Sequence, residues 1–131
     1  MFAIDLKTSH WSSMVLGGAT IYYTQQTATG SIFSVPVADD AGSTPLALQQ
    51  LFPTAIDIDQ QYIYWTNIGQ SGQGQGAVVR CKTGNCSATV TPLQTSLDGP
   101  IGVKSDGTYV YYSVHGSNDG PNNGIWRMVN P

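Results

Sequence analysis

The side chains that could do chemistry in this 131-residue chain are few and scattered. His10 and His115 are its two histidines, and either could act as a general base or metal ligand near neutral pH. They are the candidate catalytic residues, although an exposed polar histidine is the commoner meaning of such a position. Asp119, in the stretch GSNDGPNNG from Gly116 to Gly124, offers a hard oxygen ligand. One carboxylate without alternating acidic spacing does not make a calcium loop. Asp98, in LDGP, is a turn former before it is an acid. Cys81 and Cys86 enclose the turn-rich tetrad Lys82-Thr83-Gly84-Asn85 and read as a disulfide across two hairpin arms, with two ordinary thiols as the alternative. A metal site would need a second Cys or His pair. No nucleophile elbow, phosphate-cradling loop or paired-carboxylate cluster is present. No metal or cofactor is expected, and an enzyme is less expected than a binding protein.

Neutral amides are the abundant resource. Gln25, Gln26, Asn67, Gln70, Gln73, Asn118 and Asn122, with His115 and Asp119, fall in or beside three polar stretches: Gln25 to Gly30, Ile68 to Gly76 and His115 to Asn123. Amides donate and accept hydrogen bonds without imposing charge, which suits sugar hydroxyls or a peptide backbone when Tyr and Trp are near. These residues form the candidate ligand-binding set. Solvated spacer loops are the plainer alternative.

Composition narrows what carries these loops. Charged residues make up 10% of the chain, against the ~25% usual for soluble domains, and Gly, Ser, Thr, Gln and Asn replace them. With Tyr, Val and Ile as the apolar content, the mixture favours strands and turns, so the fold class is all-β. The net charge is −3, and the five basic residues include no two adjacent. A nucleic-acid partner would need clustered Lys and Arg and is not expected. No apolar run reaches the ~18 residues of a membrane span, and the N-terminus lacks the basic and then apolar pattern of a signal peptide.

The elements repeat. Ile21 to Thr24 (IYYT), Ile63 to Thr66 (IYWT) and Val110 to Ser113 (VYYS) are equivalent. Each follows a short strand, at Ser12 to Leu16, Thr54 to Ile58 and Ile101 to Lys104. Each precedes another, at Ser31 to Val35, Ala77 to Cys81 and Gly124 to Met128. Fourth strands follow at Leu46 to Leu48 and Val90 to Gln94, running into Pro53 and Pro100. Phe2 to Leu6 sits in the register of a fourth strand, with Trp11 where those prolines stand. A period of 42 to 47 residues without a helix signal predicts β-propeller blades, each a meander of strands a to d. The strand order reads d, abcd, abcd, abc. One domain spans 1–131, with blades at about 12–53, 54–100 and 101–131 plus 1–11. Three blades cannot close a ring, so a head-to-tail homodimer forming a six-bladed ring is expected. A piece of a longer propeller is the alternative.

AIDIDQQYIYWTN (Ala55 to Asn67), GAVVRC (Gly76 to Cys81) and IGVKSDGTYVYYS (Ile101 to Ser113) resemble the blades of bacterial six-bladed β-propellers of the YWTN or NHL-like sort, abundant in exported proteins. The resemblance implies a scaffold role for the Asp before the turn, here Asp59 and Asp106, where the first repeat has Gly17 and Gly18. Relatives by fold include lectins, protein-binding platforms, lactonases and a lyase, so it selects no activity. With the disulfide it implies an extracellular or periplasmic protein. The expected function is a non-catalytic binding or scaffold module, lectin-like or protein-binding, acting through the b–c loops. The alternatives are a small propeller-type hydrolase or lyase centred on His115, and a structural fragment.

Overall fold

The computed structural model describes residues 9–38, 42–116 and 122–131. Eleven strands lie among them: β1 (Trp11–Gly17), β2 (Thr20–Gln25), β3 (Gly30–Pro36), β4 (Thr44–Gln50), β5 (Pro53–Ile58), β6 (Tyr62–Asn67), β7 (Gly76–Lys82), β8 (Thr91–Leu97), β9 (Pro100–Ser105), β10 (Tyr109–Val114) and β11 (Gly124–Val129). They form three antiparallel meanders, β1-β2-β3-β4, β5-β6-β7-β8 and β9-β10-β11. The chain is all-β with the predicted order abcd, abcd, abc. The expected strand at Phe2 to Leu6 lies outside the described residues. The first strands lie together, β5 packing against both β1 and β9, so the blades radiate from a common axis.

Two expectations change. The segment after β7 forms one helical turn, α1 (Cys86–Thr89), where no helix was expected. Thr89 Oγ1 donates to Asn85 O at 2.6 Å and accepts from Lys82 N at 2.9 Å, closing the turn by a side chain. The disulfide Cys81–Cys86 accordingly ties the end of β7 to the start of α1 and does not bridge two hairpin arms. This four-residue turn is the one helix among the described residues, and no helix is long and apolar enough to cross a membrane.

The repeated tetrad has a physical reason at each position. Each inner strand carries an irregularity near its start, between Trp11 and Met14 in β1 and between Pro53 and Ile56 in β5. There the last residue of the tetrad supplies a hydroxyl: Ser13 N donates to Thr24 Oγ1 and Ala55 N to Thr66 Oγ1, both at 3.1 Å. The hydroxyl replaces the ladder bond that the irregularity removes. Ahead of it, apolar residues face both neighbouring blades. Ile63 and Trp65, fully buried, meet Val15, Tyr22 and Ile32 of blade 1, while Tyr64 meets Val103 and Val110 of blade 3. Burial on both faces explains the unbroken apolar run, and each such side chain contributes about 1.5–3 kcal/mol.

Candidate binding face

The b–c and d–a loops emerge at one end of the blades and are stitched together by backbone bonds. Gln26 N donates to His10 O (2.6 Å), Phe52 N to Thr27 O (2.9 Å), Ile68 N to Phe52 O (3.1 Å) and His115 N to Gly99 O (2.9 Å). His10, Phe52 and Gly99 occupy the same repeat position and share left-handed φ values of 65°, 52° and 70°. At Gly99 the geometry requires glycine, because a Cβ would sit 2.5 Å from His115 O. Backbone groups thus hold the face together and leave side chains to be placed separately.

The predicted ligand-binding residues divide into two groups. Gln25 ends β2 and reaches Ser9 O at 3.4 Å, while Gln26 Nε2 donates to Thr54 Oγ1 at 3.1 Å. Asn67 ends β6 beneath the face; it is buried, its Nδ2 donates to Gln50 Oε1 at 2.9 Å, and its Oδ1 is buried without a partner. These three amides serve the scaffold. Gln70, Gln73, His115 and Asn122 are exposed. His115 borders a depression of about 320 Å³ with Ile68, Gly69, Ser71, Asp98, Gly99 and Gly116. Asn118 and Asp119 lie outside the described residues.

The remaining candidates do not converge. His10 and His115 stand on the two outer blades with blade 2 between them, and the His10 ring shares a hydrogen bond of 2.8 Å with Ser9 Oγ. No three His, Cys, Asp or Glu side chains cluster as metal ligands among the described residues. Of the strand a residues, Lys104 pairs with Asp57 at 3.0 Å and Thr54 Oγ1 donates to Phe52 O.

The densest polar network lies on the opposite face, around the a–b turns. Asp59 Oδ1 accepts from Gln61 N and Tyr62 N, and its Oδ2 accepts from Tyr64 Oη (2.6 Å) and Ser105 Oγ (2.9 Å) of the next blade. Asn130 Nδ2 donates to Tyr64 Oη, and Asn130 Oδ1 accepts from Nη1 of Arg80, whose guanidinium lies 4.1 Å from the Tyr62 ring centroid. Desolvation pushes the Asp59 carboxyl upward, but the bonds from Tyr64, Gln61, Tyr62 and Ser105 together hold it below its ordinary value. Blade 3 repeats the arrangement with Asp106, Tyr111, Tyr109 and Arg127. In blade 1, Gly17 takes the Asp position, and a Cβ there would sit 2.8 Å from Ile58 Cδ1 of blade 2. This network latches turns to neighbouring blades and is structural.

The two seams between blades differ where β4 and β8 pass. In the first, Gln50 Oε1 accepts from both Trp65 Nε1 (3.0 Å) and Asn67 Nδ2, and Val79 is buried. In the second, Leu97, Tyr112, Val114 and Trp126 stand at those four positions. There a cleft of about 370 Å³ opens, lined also by Gln94, Thr95, Ser96, Asp98 and Asn122. Trp126 is 44% exposed where its counterpart Val79 is 4% exposed. Of these residues Asn122 belongs to the expected binding set; the replacement of Gln50 by Leu97 and of Val79 by Trp126 at equivalent repeat positions is the sequence signal for the rest.

No protein-family model and no curated protein matches the chain. Among solved structures it is similar to a chain of a nidogen/laminin complex, a YWTN β-propeller, with a TM-score of 0.60 and 17% identity over 73% of this chain. This chain spans 35% of that chain's length. The likeness shows the fold: the three sheets are blades of a β-propeller. The computationally designed Ika4 protein aligns over 95% of both chains with 8% identity and a TM-score of 0.44, a likeness that bears no further weight.

Proposed function

We propose that the protein is a non-catalytic binding module, recognising a glycan or protein through the amide-rich loop face of its blades. The observation that carries this reading is the division of labour on that face. Backbone bonds between the loops hold it together, while Gln70, Gln73 and Asn122 project side-chain amides into solvent. Exposed neutral amides on a fixed frame bind hydroxyls or peptide groups with little ordering cost. Probing glycan and peptide arrays with the labelled chain tests it. The Gln70→Ala/Gln73→Ala variant is expected to lose binding at least roughly tenfold, the loss of one or two hydrogen bonds. Unchanged binding removes the loop face from the account.

The ring is closed by a second copy, head to tail. Blade 2 meets blade 3 with Tyr62, Tyr64, Val78 and Arg80, and blade 3 carries Tyr109, Tyr111, Ile125 and Arg127 in the same register. Blade 2 meets blade 1 with Ile56 and Ile58, and blade 1 carries Met14 and Leu16 at those positions. Met14 and Leu16 are 71% and 63% exposed and Ile125 is 82% exposed, more apolar surface than an isolated blade edge needs. The two end surfaces are thus the two halves of a contact the chain makes twice internally, which supports a heterologous pairing. The disulfide supports an oxidising compartment, extracellular or periplasmic.

A further inference from the structure

We propose that the cleft of the second seam is a saccharide subsite, taking one neutral sugar ring against Trp126; the inference rests on the binding-module reading and names its ligand class. The first seam is the internal control. It has the same register in the strands that carry these residues, although among the described residues β11 lacks the fourth strand that β8 gives β7, and an amide plug fills it: Gln50 accepts from the Trp65 indole and from Asn67. In the second seam every member of the plug is changed at once. Leu97 cannot accept a hydrogen bond, Val114 cannot donate one, and the residue packed beside them enlarges from Val79 to Trp126. These side chains remove the plug, and the open edge of β11 adds to the exposure of Trp126.

Their chemistry selects the occupant. Trp126 Nε1 donates to Asn122 O at 3.1 Å, which fixes the indole plane while its face stays accessible. An oriented aromatic face suits the C–H face of a pyranose. Around it stand hydroxyl groups on Thr95 and Ser96, amides on Gln94 and Asn122, and the Tyr112 phenol, which makes no hydrogen bond to a described residue. Among the described residues no cation lines the cleft, and the one carboxylate, Asp98, stands at the end shared with the His115 depression. At about 370 Å³ the space holds a small ligand and is far short of a protein–protein interface.

The test is a titration of the isotope-labelled chain with glucose, galactose, mannose, N-acetylglucosamine and their β-1,4-linked disaccharides, following the tryptophan indole N–H resonances. One of these sugars is expected to shift Trp126 saturably with roughly millimolar affinity, the range for a ligand of this size, while buried Trp65 stays still. Trp126→Ala should abolish binding. So should Leu97→Gln/Tyr112→Trp/Val114→Asn, which transplants the plug of the first seam with its two hydrogen bonds. Gln94→Ala/Asn122→Ala should weaken binding at least roughly fivefold, about one hydrogen bond. If none of the sugars moves Trp126 in the tens of millimolar, or if peptides alone do, the saccharide assignment is wrong. Array binding lost in Gln70→Ala/Gln73→Ala with Trp126 silent would leave the loop-face reading standing without the subsite. Sugar binding at Trp126 with array binding indifferent to those two amides would do the reverse.

Discussion

At the level of single residues, hydrogen bonds that cross a seam decide how firmly blades hold one another. Asp59 is the clearest case, since its carboxylate serves its own turn and also Ser105 of the next blade. Its folded value lies below the ordinary 3.8, so it contributes stability that is fully present above about pH 4 and is lost as the pH falls through the lowered value. Asp59→Asn should cost about 1–2 kcal/mol at neutral pH and flatten the acid limb; urea midpoints at neutral pH and near pH 3 measure both. A limb as steep as in the wild type would contradict the assignment. Gln50→Ala should cost about 1–3 kcal/mol, because it strands the Trp65 indole N–H and the Asn67 amide in a buried seam. Asp59 was legible as a turn residue from its place before the aromatic strand. Its bond to Ser105 was not, because a contact across 46 positions depends on how two blades pack.

At the level of elements, the strand pattern was legible because each blade is buried on both faces, and the run from Tyr62 to Trp65 cannot be read as a half-exposed sheet. The ends were less so: β8 runs three residues beyond Gln94 to Leu97, through the polar pair Thr95 and Ser96, which breaks the apolar signal. The turn α1 was also silent in sequence, since Cys86-Ser87-Ala88-Thr89 is too short to show a helical period and is closed by Thr89 and the disulfide. Reducing Cys81–Cys86 should lower stability by about 2 kcal/mol on the chain-entropy model, a modest figure because the closed loop is small. The urea midpoint with and without reductant reads it, and a collapse of the whole fold would mean that α1 organises more than its own corner. Gly76→Ala should cost about 1–3 kcal/mol or more, because its Cβ would fall 2.4 Å from Pro100 Cδ and 2.7 Å from Leu97 O, neither of which can turn aside.

At the level of the whole molecule, function was less legible than fold because the candidate sites arise between blades. The amides Gln70, Gln73 and Asn122 could be picked from the sequence, yet Gln25, Gln26 and Asn67, of the same residue types, turned out to brace the scaffold. The Trp126 cleft depends on four residues from three strands of two blades, which only their juxtaposition brings together. The proposed two-chain ring requires that the outer surfaces of two copies complete one another. The most direct measurement is the solution mass by light scattering across a range of concentrations. Ring closure predicts a species of about 28 kDa, twice the 14.0 kDa chain, and its dissociation when Leu16→Asp or Ile125→Asp places a charge in the shared contact. A 14.0 kDa monomer at every concentration, or a dimer indifferent to both substitutions, would contradict it.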